Sequence, residues 1–89
     1  MNIEQMKDKS EKMLKELKME RDDLKVQIHL LSMDAKEEWN DLENKYEKFK
    51  AKASLVADVT GDSAEEVVED LILVGDELRE GYKRIRRSM

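Results

Sequence analysis

A single histidine, His29, and no cysteine leave carboxylates as the only other metal-ligating side chains of this 89-residue chain. A Glu-x-x-His pair, the signature of carboxylate-bridged metal sites in helix bundles, would need an acid three residues before His29, where Val26 stands. His29 falls on the polar side of the local pattern and reads as a surface residue. Ser10, Ser32, Ser54, Ser63 and Ser88 lack the context of an activated nucleophile. Gly61, Gly75 and Gly81 are isolated and form no phosphate-cradling loop. The carboxylate pairs Asp22-Asp23, Glu37-Glu38 and Glu65-Glu66 diverge by ~100° on a helix, so neither member of a pair helps the other hold a ligand. No catalytic, metal or cofactor site is expected, and the chain reads as a non-enzyme.

One charge cluster remains, Lys83, Arg84, Arg86 and Arg87. It is a candidate contact for polyanions, either anionic lipid or nucleic acid. Against that stands the net charge of −5, from 22 acidic and 17 basic residues, which disfavours nucleic acid and leaves a membrane surface the weaker alternative to a protein partner. The same cations also complement a helix C-terminus, as Glu65, Glu66, Glu69 and Asp70 complement the N-terminus of that helix.

The elements that must carry these side chains follow from composition and spacing. A proline-free chain with 44% charged residues, rich in Glu, Lys and Leu, has the makeup of long helices and coiled coils. The absence of cysteine and of an apolar core in the first 20 residues predicts a cytoplasmic protein without a signal peptide. Apolar residues recur at three- and four-residue steps along a seam from Ile3 through Leu14, Leu17, Leu24, Ile28, Leu31, Ala35, Trp39, Leu42, Tyr46, Phe49 and Ala53 to Val56, with Lys7, Ser10 and Arg21 as polar members. A brief alternation at Val26, Ile28 and Leu30 would suit a strand, but no turn residue bounds it. Helix 1 is therefore expected over about 2–58, a turn over about 59–62 around Gly61, and helix 2 over about 63–88, opened by a Ser63-x-x-Glu66 capping box.

The seam of the second helix runs Ala64, Val67, Leu71, Val74, Leu78, Tyr82, Ile85 and Met89. Counting outward from Gly61 sets Trp39 level with Tyr82, Phe49 with Leu71 to Val74, and Tyr46 with Gly75. The expected fold is thus an all-α, long antiparallel helical hairpin of coiled-coil type. Its core would hold Trp39, Leu42, Tyr46, Phe49, Leu71, Val74, Leu78 and Tyr82.

An unbroken helix 1 would be ~85 Å long against ~40 Å for helix 2, leaving about 33 residues without a partner in the chain. That overhang contains the densest apolar stretch, Leu24, Val26, Ile28, Leu30, Leu31 and Met33, with Val26, Leu30 and Met33 as a second stripe beside the seam. Burying one such side chain gains ~1.5–3 kcal/mol, so these six residues are expected to mediate self-association. A homodimer or homotetramer would complete the hairpin to a helix bundle, and an unidentified protein is a further candidate partner.

Three stretches carry a resemblance: Val26 to Leu30 (Val-Gln-x-His-Leu), Ala35 to Trp39 (Ala-Lys-x-Glu-Trp) and Glu80 to Arg86 (Glu-Gly-Tyr-x-Arg-Ile-Arg). In these the chain resembles small, functionally uncharacterised bacterial helical-hairpin proteins over roughly residues 24–89. The resemblance implies a bacterial source and a coiled-coil hairpin, and supplies no activity or catalytic residue.

Overall fold

The structure, a computed structural model, describes residues 2–58 and 64–89. It is all-α: α1 spans Ile3–Lys25, α2 spans Met33–Leu55 and α3 spans Ala64–Arg87, with single 3-10 turns at Ile28–Leu30 and Val56–Asp58. The expected turn around Gly61 and the capping box at Ser63 lie outside the described residues.

The expectation of one helix over 2–58 is corrected. The chain leaves the helix after Lys25 and re-enters at Met33, so that α1 folds back along its own α2 and α3. Neither glycine nor proline marks this break. Its local means is Ser32, whose extended backbone (φ −64°, ψ 168°) and hydroxyl, accepting from the Ala35 N–H at 3.2 Å, cap α2. Its driving force is burial, because a folded-back α1 covers the apolar faces that a straight helix would leave in water. At its other end α1 starts with a reciprocal cap: Asn2 Oδ1 accepts from Gln5 N–H at 2.8 Å, and Gln5 Oε1 accepts from Asn2 N–H at 3.2 Å.

Cross-helix pairs fix the topology. Glu16 meets Arg79 and Asp23 meets Arg86, so α1 and α3 run parallel. Glu38 meets Arg84 and Lys45 meets Glu77, so α2 and α3 are antiparallel, as the hairpin reading expected. The result is an up-down-up three-helix bundle of 45 × 17 × 17 Å.

Along this axis the core holds Met6, Met13, Leu17 and Leu24 from α1, Ala35, Trp39, Leu42, Tyr46 and Phe49 from α2, and Val68, Leu71, Leu78, Tyr82 and Ile85 from α3. Every expected hairpin-core residue is buried except Val74, which is half-buried at the edge. Met6, Met13 and Val68 were not on the expected seams; Met6 and Met13 enter because α1 folds back against the other two helices, and Val68 because α3 packs against two helices instead of one. Ser10 is fully buried and donates its hydroxyl to the Lys7 carbonyl at 2.8 Å, which removes the cost of a polar group in the core.

Candidate functional site

Two places concentrate features that packing alone does not explain. One is a polar cluster in the half of the bundle nearest the α1–α2 connection. Arg21, a polar member of the expected seam, donates through Nε and Nη2 to Glu43 Oε1 and Oε2, both at 2.7 Å, and its guanidinium lies 4.8 Å from the Tyr46 ring centroid. Its side chain keeps 16% of its exposure, and the Glu43 hydrogen bond holds its pKa above the usual arginine value.

Beside this pair Tyr82 is fully buried, tilted against Trp39 with ring centroids 5.9 Å apart. Its hydroxyl oxygen has no hydrogen-bond partner among the described residues. Burial, followed by the nearby Glu43 carboxylate, pushes its pKa up, and burial does the same more weakly for Tyr46. A tyrosine that holds its proton and touches no solvent is a poor acid, base or nucleophile at neutral pH. The cluster is a clamp between α1 and α2, and its signal in the sequence was Arg21, one of the three polar members of a largely apolar seam.

The second place is the connection itself. Of its six expected association residues, Leu24 and Leu31 are buried in the chain's own core and Ile28 is half-buried against it. Leu24 and Leu31 thus close the end of the bundle within the chain itself, with Ile28 at the edge of that core. Val26, Leu30 and Met33 remain 71%, 61% and 81% exposed, on the outside of the connection rather than beside the buried seam. Met89 is also exposed at this end of the bundle, where the Arg86 guanidinium reaches Glu20 and Asp23 near the end of α1. His29 is exposed within the 3-10 turn.

The basic cluster is partly consumed within the bundle. Arg84 Nε donates to Glu38 at 2.8 Å, Arg86 donates to Glu20 at 2.8 Å and to Asp23 at 3.1 Å, and Lys83 pairs with Glu80 at 3.5 Å. Hydrogen bonds to Glu20 and then Asp23 raise the Arg86 pKa. Three of the four candidate polyanion contacts thus already face a carboxylate, and Arg87 stands exposed beside them. The carboxylate pairs divide as helix geometry requires: Asp22 turns to Arg21 and Asp23 to Arg86.

The surface grooves offer little chemistry. One, about 690 Å³, is lined by Glu16, Met19, Glu20, Asp22 and Asp23, whose acids are engaged by Arg79, Arg86 and Arg21. Another, about 480 Å³, lies between Met6, Lys9, Glu65, Glu69, Ile72 and Leu73. Among the described residues no three histidines or carboxylates converge as a metal site, and no helix is long and apolar enough to cross a membrane. No family model matches this chain, and comparison with curated proteins and with solved structures gives no match.

Proposed function

We propose that this chain is a non-enzymatic helical interaction module that associates with a second copy of itself through the segment from Leu24 to Met33. One observation carries the reading. Val26, Leu30 and Met33 stay largely exposed within eight consecutive positions, and nowhere else among the described residues do three large apolar side chains do so. The rest of the bundle argues against chemistry: its most unusual polar groups, Arg21, Glu43 and Tyr82, are locked or buried.

The basis for association differs from the sequence expectation. α1 supplies the third helix that a partner was expected to bring, so the chain does not need a partner to complete its core. Sedimentation equilibrium of the whole chain over micromolar to millimolar concentration tests the reading. A concentration-dependent rise to the mass of two chains supports it, and a constant single-chain mass overturns it.

A further inference from the structure

The connection between α1 and α2 is nearly a helix already. From Leu24 to Ala35 there is no glycine or proline. Val26 has helical torsions (φ −73°, ψ −12°), Gln27 sits close by (φ −112°, ψ 0°), and Ile28–Leu30 forms a 3-10 turn. Only Leu31 (φ −82°, ψ 149°) and Ser32 (φ −64°, ψ 168°) are extended, and both already have φ values a helix accepts. Turning two ψ angles, with a small adjustment at Gln27, makes α1 and α2 one continuous helix.

Such a helix would keep its buried faces in register. Leu24 closes the core face of α1 and Ala35 opens that of α2. They are separated by eleven residues, which at ~100° each return to within about 20° of the starting direction. Ile28 and Leu31 fall on the same face. The pattern that predicts an unbroken helix is therefore real, and it coexists with a capped break.

We propose that residues 26–33 form a hinge, and that two copies of the chain open it and exchange their α1 helices. This rests on the self-association reading and specifies how association occurs. In the exchanged dimer α1 of one copy packs on α2 and α3 of the other. The Arg21–Glu43, Glu16–Arg79 and Glu20–Arg86 pairs and the Met13–Gly75 contact then form between chains instead of within one. The occupant is a second copy because the face that opening uncovers on α2 and α3 is the one that α1 of this same chain already fits.

Area favours exchange over docking of closed bundles. Three partly exposed side chains at the tip fall well short of the ~800 Å² per partner of a stable interface, whereas exchange reuses the whole buried face of α1. Val26, Leu30 and Met33 would stand on the side of the continuous helix away from Leu24 and Leu31, so they keep the exposure on which the self-association reading rests and add to the exchanged contact instead of supplying it alone.

Ser32 and Met33 give opposite levers. Met33→Pro suits the closed bundle, since proline is favoured at the first helical position and wants an extended residue before it, as Ser32 is; inside a continuous helix it is disruptive. Ser32→Ala removes the cap of the closed form and places the best helix former in the open one. Exchange predicts loss of the dimer in Met33→Pro with helicity kept, dimerisation tighter by about tenfold in Ser32→Ala, and a far smaller loss in Met33→Ala than in Met33→Pro. A Met33→Pro chain that dimerises like the parent overturns exchange.

A second measurement holds even if a hinge variant misfolds. Glu16→Cys with Arg79→Cys places two thiols in a chain that has none, on facing positions of α1 and α3. After refolding at high concentration, the dimer fraction is treated with a short bifunctional thiol crosslinker and run on a denaturing gel. Exchange predicts a covalent two-chain band. A single-chain band from a genuine dimer overturns exchange while leaving self-association intact, and the absence of any dimer fraction overturns both.

Discussion

Arg21 and Glu43 form the one doubly hydrogen-bonded ion pair between α1 and α2 among the described residues, with both bonds at 2.7 Å and both side chains mostly withdrawn from water. Such pairs matter less for their net gain than for the cost of breaking them, because the remaining charge stays poorly solvated. Glu43→Ala is expected to lower stability by about 1–3 kcal/mol. Adding Arg21→Ala should cost less than the sum of the two single changes. Urea denaturation of the four chains in a double-mutant cycle checks this, and strict additivity would contradict it.

Tyr82 predicts a pH effect with a definite sign. Its pKa in the folded chain is raised by burial above the ordinary phenol value near 10, so the unfolded chain releases the proton first. The stability tied to this proton is complete below about pH 10 and is lost as pH climbs from there toward the raised value. Tyr82→Phe removes that loss and the unpartnered buried hydroxyl. It should be neutral or stabilising by up to about 1 kcal/mol at pH 7, and its alkaline unfolding midpoint should move upward. Tyr46, raised more weakly, keeps some alkaline sensitivity in the variant. A destabilised Tyr82→Phe chain with an unmoved alkaline midpoint would contradict the assignment.

The two glycines of α3 should respond differently to alanine. A Cβ on Gly75 would come within 2.6 Å of the Met13 methyl, the end of a flexible side chain, and 3.1 Å of Phe49 Cε2. A Cβ on Gly81 would press on three atoms of Leu42, including Cγ at 3.2 Å, in a side chain that is itself buried. Gly75→Ala should therefore be near neutral, its helix-propensity gain of about 1 kcal/mol offsetting the displaced methyl. Gly81→Ala should cost about 1–3 kcal/mol. Thermal unfolding that ranks them the other way would show that Leu42, not Met13, has room to move.

Within the connection, position decides cost. Leu24→Ala removes a fully buried side chain and should cost about 2–5 kcal/mol. Leu30→Ser alters a side chain that is 61% exposed and should change monomer stability by no more than about 0.5 kcal/mol. Equal effects in chemical denaturation would place the two residues in a different arrangement from the one described.

What the sequence made legible depended on which physical rule left a mark in it. Seam spacing on two proline-free segments specified the all-α class, the antiparallel pairing of α2 with α3, and the level of Trp39 with Tyr82. Gly75, set level with Tyr46 by the count from Gly61, instead lies against Met13 and Phe49. The break at 26–32 was not legible. Ser32 lacks an acid or glutamine three positions on, where Ala35 stands, and the seam passes through the break in phase, so periodicity is the same for a straight and a folded-back chain. That hidden fold is why Leu24 and Leu31, expected at an interface, lie in the core, and why Met6 and Met13 were missed.

Sedimentation equilibrium of the unmodified chain, loaded from micromolar to millimolar concentration, tests the central claim most directly. Self-association predicts an apparent mass that climbs from one chain toward two with a single dissociation constant. A mass fixed at one chain across the whole range would contradict it and leave the three-helix bundle as a monomer.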